Sequence, residues 1–425
     1  MRLLAGLAAA TVLAGCSGTA DSGGADDPGS TQVRGLDGDT ITVGAITIAS
    51  GPMAAAGRSV TAGNEAYFAA LDGDGGVAGR YRVEIEVLDG ADHPATILRR
   101  YEESHGHVAM YVQALGFRAA DAILEPLMAD DVLASTFALD FPWSRHQNLL
   151  AIGTPLTVGV HNALDWYVHA PGARRSVCAL GDDGDYGDAA ISAVRASATV
   201  LYVDLGPVIT LPAAGGTVAT GTVTAAVDEL ARERCDVVVA ATLPDESATA
   251  IAHAAATGFA PEWFVLAAGQ PALADPAVAA YADEHLRVIA DDASWDDGRG
   301  SSGGAADLVA ARDAFAPEIA DDDPWFLLGY RQAMATHQVL ERAVEQGDLT
   351  QTGILLAAND TVELVFAGLA DDYRFGLPEY REPSRTTLLL RPDASADDAV
   401  VTVGDDLPRV GQSAFEREMQ GLPPA

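Results

Sequence analysis

Apolar and polar positions along the chain change period several times, and each change marks an element. Residues 40–49, TITVGAITIA, form a near-continuous apolar run, as a strand buried on both faces requires. From Arg58 to Leu71, the positions Val60, Gly63, Tyr67 and Leu71 recur at helical spacing. RVEIEVLD (82–89) alternates charged and apolar residues, the pattern of a strand with one exposed face. ATILRRYEES then reads as helix, HVAMYVQA as strand, RAADAILEPLMADD as helix and VLAST as strand. This βαβαβαβ order predicts a parallel sheet with helices on both faces.

The pattern then restarts. VGVHNALDWYVHA (158–170) is helical, RSVCALG a strand and DAAISAVRAS a helix. TVLYVDLGPV reads as a strand, followed by a helix over Thr222 to Arg234, the strand CDVVVAAT, the helix ATAIAHAAATG and the strand EWFVLAA. A further strand is expected from Leu286 to Ala293. Helices are expected near 304–316, 325–346 and 349–357, and late strands in RTTLLLRP and AVVTVG. The fold class predicted is α/β, with two Rossmann-like units in tandem.

Length and composition agree with that reading and narrow the function. The 425 residues suffice for two domains, and 49% are hydrophobic, so the chain folds. Acidic residues number 61 against 25 basic ones, a formal net charge of −36. Such a surface repels phosphate backbones, which argues against nucleic acid as a partner. There is no lysine, which removes P-loop lysines, Schiff-base lysines and Ser-Lys dyads together.

The N-terminal MRLLAGLAAATVLAGC has one positive charge and then an apolar run too short to span a bilayer, so residues 1–15 read as a signal peptide. Leu13-Ala14-Gly15-Cys16 resembles the lipobox of bacterial lipoproteins, which makes Cys16 the expected lipidation site. Residues 17–38 are rich in Gly, Ser and Asp and read as a flexible tether. The expected location is therefore extracytoplasmic, with a lipid anchor to the cell membrane. Cys178 and Cys235 each sit in or beside a predicted strand. The compartment permits a disulfide, but buried thiols are the expectation for cysteines in strands.

The candidate chemistry is mostly negative. Ser50-Gly51-Pro52 joins a strand to a helix without GxGxxG or GxxxxGK[ST], and the proline removes an N–H that a phosphate nest would use. DDGDYGD (182–188) lacks the spacing of a calcium loop, His105 and His107 read as a solvated turn, and neither GxSxG nor HExxH occurs. No cofactor, metal or catalytic residue is expected. The aromatics of FALDFPW (137–143) follow a strand end, the side on which parallel sheets bind ligands.

Taken together, these segments resemble the branched-chain amino acid class of ABC transporter solute-binding proteins, which are type I periplasmic binding proteins. The likeness is carried by residues 41–90 (the Ser50-Gly51-Pro52 turn, Gly57, Gly63, the turn over Asp74 to Arg80 and the strand ending at Asp89), by GDDGDYGDAAISAV with Tyr186-Gly187, by residues 327–358 and by VFAGL. The resemblance implies two α/β lobes joined by a hinge of crossing strands. Lobe 1 would take 39–154 and 289–360, and lobe 2 would take 155–288 and 361–425. It implies a ligand between the lobes and an ABC permease as partner, with a ligand sensor of the same fold as the alternative. The family often offers a serine hydroxyl after the third strand. ALGFR stands here instead, so Phe117 and Arg118 fall at that position, and Arg118 is either a carboxylate clamp or a surface residue. The other positions carried over are Ser50, Gly51, Ser135, Thr136, Ala138, Tyr186, Thr242 and Gln270. Gln270 lies where amino acid binders place an acid for the ammonium group. The resemblance implies a small polar solute, an amino acid, an amide or a small or aromatic carboxylate, and the neutral glutamine shifts the expectation from an ammonium-bearing ligand toward the amide or carboxylate.

Overall fold

In a computed structural model of the chain, two sheets repeat one strand order. The structure describes residues 33–117, 120–172, 176–212, 217–270, 275–293, 295, 303–392, 401–403 and 414–419. The first sheet contains β1 (Leu36–Asp37), β2 (Thr40–Thr47), β3 (Arg82–Asp89), β4 (Tyr111–Ala114), β5 (Ala134–Phe137) and β6 (Leu149–Ile152). Its parallel strands run in the order β3-β2-β4-β5-β6, and β1 pairs antiparallel with the start of β2. The second contains β7 (Ser176–Asp182), β8 (Asp204–Leu211), β9 (Val237–Ala241), β10 (Glu262–Leu266) and β11 (Leu286–Ala290) in the parallel order β8-β7-β9-β10-β11. A short ladder joins β12 (Glu363–Leu364) to β13 (Tyr373–Arg374). Then β14 (Thr387–Leu390) and β15 (Val401–Val403) extend the second sheet antiparallel beyond β11. Each parallel set has its first strand inside and its second at the edge. That order creates a crevice at the strand carboxyl ends.

Connections between parallel strands must cross over, and helices supply them. The helices are α1 (Ala54–Gly73), α2 (Pro94–Ser104), α3 (Leu124–Asp130), α4 (Phe141–Ser144), α5 (Leu156–His169), α6 (Asp185–Leu201), α7 (Thr220–Arg232), α8 (Pro244–Thr257), α9 (Pro276–His285), α10 (Gly303–Phe315), α11 (Pro324–Gln346), α12 (Gln351–Asp360) and α13 (Ala414–Met419). The first parallel strand of each sheet is mostly apolar inside, with Thr47 and Asp182 buried at the carboxyl ends. Val43, Ala45 and Ile46 of β2 and Val177 and Ala179 of β7 are buried, as strands covered on both faces must be.

The helices α1 and α11 pack backbone against backbone. A Cβ on Gly329 would overlap the Val60 carbonyl, and one on Gly63 would overlap the Phe326 carbonyl. Backbone on both sides cannot yield as a side-chain tip can. Gly329→Ala is therefore expected to cost about 1–3 kcal/mol. Urea unfolding checks this, and a loss near zero would mean that the two helices move apart freely.

Several boundaries differ from the sequence reading. The helix α6 continues to Leu201 and ends at Tyr202, whose φ of 54° breaks the helical path, so β8 starts at Asp204 rather than at Thr199. The strand β6 was not expected. It is four residues long and fully buried, too short to show a period. Residues 361–384, expected with the second lobe, lie against the first. Tyr373 Oη donates to the Ala151 carbonyl (2.6 Å), and the buried Arg381 donates to the His146 and Leu149 carbonyls (2.7 and 2.9 Å). Cys178 and Cys235 form a disulfide, contrary to the expected free thiols. Cys178 lies in β7 and Cys235 just before β9, its immediate neighbour, and this brings their Cα atoms to 5.9 Å.

The chain passes between the sheets after β6, after β11 and before β14. Polar contacts tie these three passages together. Thr154 Oγ1 donates to the Thr386 carbonyl, and Asn162 Nδ2 donates to the Arg385 carbonyl (2.8 Å) and to Thr387 Oγ1 (2.9 Å). Thr386 Oγ1 donates to Asp371, whose own N–H donates to Asp292 Oδ2, each at 2.8 Å.

Candidate functional site

The carboxyl ends of β4, β5 and β6 in the first sheet and of β10 and β11 in the second meet around a cavity of about 410 Å³. The loop after β4 supplies Phe117. Its N–H donates to Asp92 Oδ1 (2.8 Å), and its carbonyl accepts the Tyr186 N–H (2.8 Å) from the first turn of α6 in the other lobe. A second contact across the lobes is the Asp121 N–H to Asp185 Oδ2 (2.9 Å). The Phe117 ring lies 5.4 Å from Phe137 and 5.6 Å, edge to face, from both Tyr186 and Trp325. Ring pairs at these distances hold one another in place.

Trp325 is placed by the start of α11. Asp323 precedes Pro324, and its carboxylate accepts the N–H groups of Trp325 (2.8 Å) and Phe326 (3.2 Å). An aspartate cap followed by proline at the first helical position is a favoured start, so this turn is defined locally. Ser59 of α1 also donates to Asp323 (2.8 Å), which fixes the cap to the first lobe.

Most of the wall is aliphatic or aromatic, including Ile152, Leu156, Leu266, Ile289, Leu328 and Leu388. The polar part gathers at the passage after β11. Arg331 of α11 is buried, and both of its Nη atoms donate to Asp291 Oδ2 (2.9 and 3.0 Å). Gly153, at φ +90°, allows this pair to form, because a Cβ there would overlap Asp291 Oδ2. Burial works against the Arg331 charge, but Asp291 and Asp292 beside it hold its pKa above the ordinary arginine value. Burial pushes the Asp292 carboxyl up to about 7, against the pull of Arg331, and the Asp291 charge adds to the rise. Tyr186 is buried, and its hydroxyl faces the backbone N–H groups of Gly269 and Ala268. Burial, then the nearby Asp182 charge, raises its pKa, so it stays neutral.

The raised Asp292 pKa has a direct consequence for stability. In the unfolded chain this carboxyl titrates near 4, whereas in the fold it titrates near 7. Between those values the folded state holds more protons, so stability falls as pH rises through the window. Asp292→Asn is expected to flatten that slope, as read from urea midpoints between pH 4 and pH 8. An unchanged slope would assign the effect to another group.

Of the residues picked out in the sequence, Phe117, Ala138, Tyr186 and Gln270 line the cavity together. Ser50 and Gly51 are exposed and do not line it. Ser50 hydrogen-bonds Asp89, and the adjoining Pro52 lies across the cleft from Thr217 and residues 243–246. Ser135 and Thr136 are buried within β5, and Thr242 Oγ1 shares a hydrogen bond with Ser247 Oγ (2.8 Å). Arg118 and Cys16 lie outside the described residues. Asp291, Arg331, Trp295 and Trp325 were not anticipated. The proline after Asp323 was the available signal for Trp325. Nothing local marks the Asp291–Arg331 pair, whose members are 40 residues apart. Among the described residues, no cluster of three or more His, Cys, Asp or Glu is arranged to hold a metal.

Two α/β lobes enclosing a cavity at their facing strand ends define a solute-binding protein of the type I periplasmic fold. The chain belongs to the periplasmic binding protein family, whose model matches residues 40–395, and its role is binding rather than catalysis. Among solved structures it is similar to a fatty acid ABC transporter substrate-binding protein from Thermomonospora curvata, at 20% identity and a TM-score of 0.77, over 91% of this chain and 96% of that one. It also resembles an ABC transporter substrate-binding protein from Aeropyrum pernix, at 13% identity and a TM-score of 0.73, over 89% and 98%. A third is a leucine-binding protein from Thermotoga maritima, at 16% identity and a TM-score of 0.67, over 86% and 99%. No curated protein sequence matches the chain.

Proposed function

We propose that this protein captures a small solute with an apolar body outside the cytoplasm and delivers it to an ABC importer, its lobes closing around the ligand. The observation that carries this reading is the cavity of about 410 Å³, walled mainly by aliphatic and aromatic side chains from both lobes. Its volume lies in the range of small-molecule sites, and polar groups make up a minority of the lining. A small polar solute, expected from the sequence alone, would leave most of this wall unmatched. The similarity to a fatty acid substrate-binding protein and to a leucine-binding protein supports an apolar ligand body. Cys16 would tether the protein to the membrane face, and the tether expected over residues 17–38 would end before Val33, since Leu36–Asp37 already belong to the first sheet.

Thermal unfolding against a panel of medium-chain acids, amides, alcohols and amines, with leucine and phenylalanine, tests the proposal. A bound solute raises the midpoint, by about 2.7 kcal/mol of stability at a hundredfold excess over Kd. Phe117→Ala should weaken binding of whatever compound shifts it. No shift from any compound at millimolar concentration overturns the reading.

A further inference from the structure

The polar end of the cavity carries information about the ligand's head group. Its described charged lining consists of Asp291, Asp322 and Arg331, two carboxylates against one guanidinium. The guanidinium charge is balanced in place: both Nη atoms donate to Asp291, Nε is buried without a partner among the described residues, and the side chain is only 1% exposed. Asp291 is the accessible member, with 32% of its side chain exposed. Its Oδ2 takes the two Arg331 donors, and among the described residues its Oδ1 takes the Ala293 N–H, at 3.2 Å. A carboxylate has about four acceptor positions, so Asp291 keeps acceptor capacity on the cavity side.

Tyr186 lines the same cavity and is 2% exposed, but its hydroxyl faces the backbone N–H groups of Gly269 and Ala268, so it makes no demand on a ligand. Behind the wall, Asp292 adds further negative charge as it ionises, and the whole chain carries −36. Both disfavour an anion entering the site.

We infer that the site selects an apolar solute whose head group donates a hydrogen bond to Asp291 and carries no negative charge, and that it discriminates against the carboxylate of equal length. Alcohols, primary amides and amines meet the first condition and carboxylates fail both. This inference rests on the cavity being the solute site.

Calorimetric titration of the wild-type protein with decan-1-ol, decanamide, decylamine and decanoate at pH 7.5 tests it. Decanoate is expected to bind about tenfold more weakly than the other three. In Asp291→Asn, which keeps an acceptor for Arg331 while removing one charge, decanoate should gain about tenfold and decylamine should weaken. Decanoate binding as tightly as the amide in the wild type overturns the inference and leaves the solute-binding function standing. If none of the four binds, the inference falls, and the wider panel with leucine and phenylalanine decides whether the proposed function falls with it. The wild-type series decides between these outcomes even if the variant fails to fold.

Discussion

Arg331→Met should lower the stability of the protein by about 3–5 kcal/mol, the usual loss when one partner of a buried ion pair is removed. Methionine fills much of the volume, so packing contributes little to the loss. What remains is electrostatic. Arg331 is the cation that both Nη bonds join to Asp291, and its charge also favours ionised Asp292. Without it two adjacent carboxylates stand together in a poorly solvated passage between lobes, and one of them must protonate. The deficit should therefore shrink as pH falls from 8 to 5, because acid removes the unpaired charge. Adding Asp291→Asn should recover part of it. Urea unfolding at the two pH values measures both effects. A loss below about 1 kcal/mol, typical of exposed pairs, would show that solvent reaches Arg331.

The second large effect concerns the disulfide. Cys178 and Cys235 are 57 positions apart, and closing a loop of that length removes enough unfolded-chain entropy to contribute about 4 kcal/mol. Cys178→Ala with Cys235→Ala should lose roughly that amount, measured by urea unfolding. Solute affinity should be unchanged, since neither residue lines the cavity. A double variant as stable as the wild type would place the effect of the crosslink in the folded state, as strain offsetting the gain.

The parts of the fold that show in the sequence are those with enough residues to display a period. Val60, Gly63, Tyr67 and Leu71 marked α1, and the alternation of RVEIEVLD marked β3. Short or context-set features did not show. LLAI of β6 spans one period and reads equally as helix. The end of α6 depends on Tyr202 adopting a positive φ, which an aromatic residue does not advertise. The candidate site divides in the same way. Phe117 and Tyr186 sit at strand and helix ends that the resemblance could locate, and they meet as neighbouring rings. Ser135 and Thr136 follow the same logic but lie within β5, because the strand begins two residues later than expected and continues to Phe137. Asp291 and Arg331 meet only because α11 returns to the passage after β11, a juxtaposition set by the fold as a whole.

The three passages between lobes also govern the order in which the polypeptide can assemble. The first sheet is covered by α11, at residues 324–346, and the second is extended by β14, at residues 387–390. Neither lobe can finish from the first half of the chain, since each requires a segment from the last quarter. Contacts of such separation form slowly, because the intervening chain must be closed before they add stability. A polypeptide built this way acquires its native form only when its last strands have been added, so a chain cut short before β14 would leave both lobes unfinished.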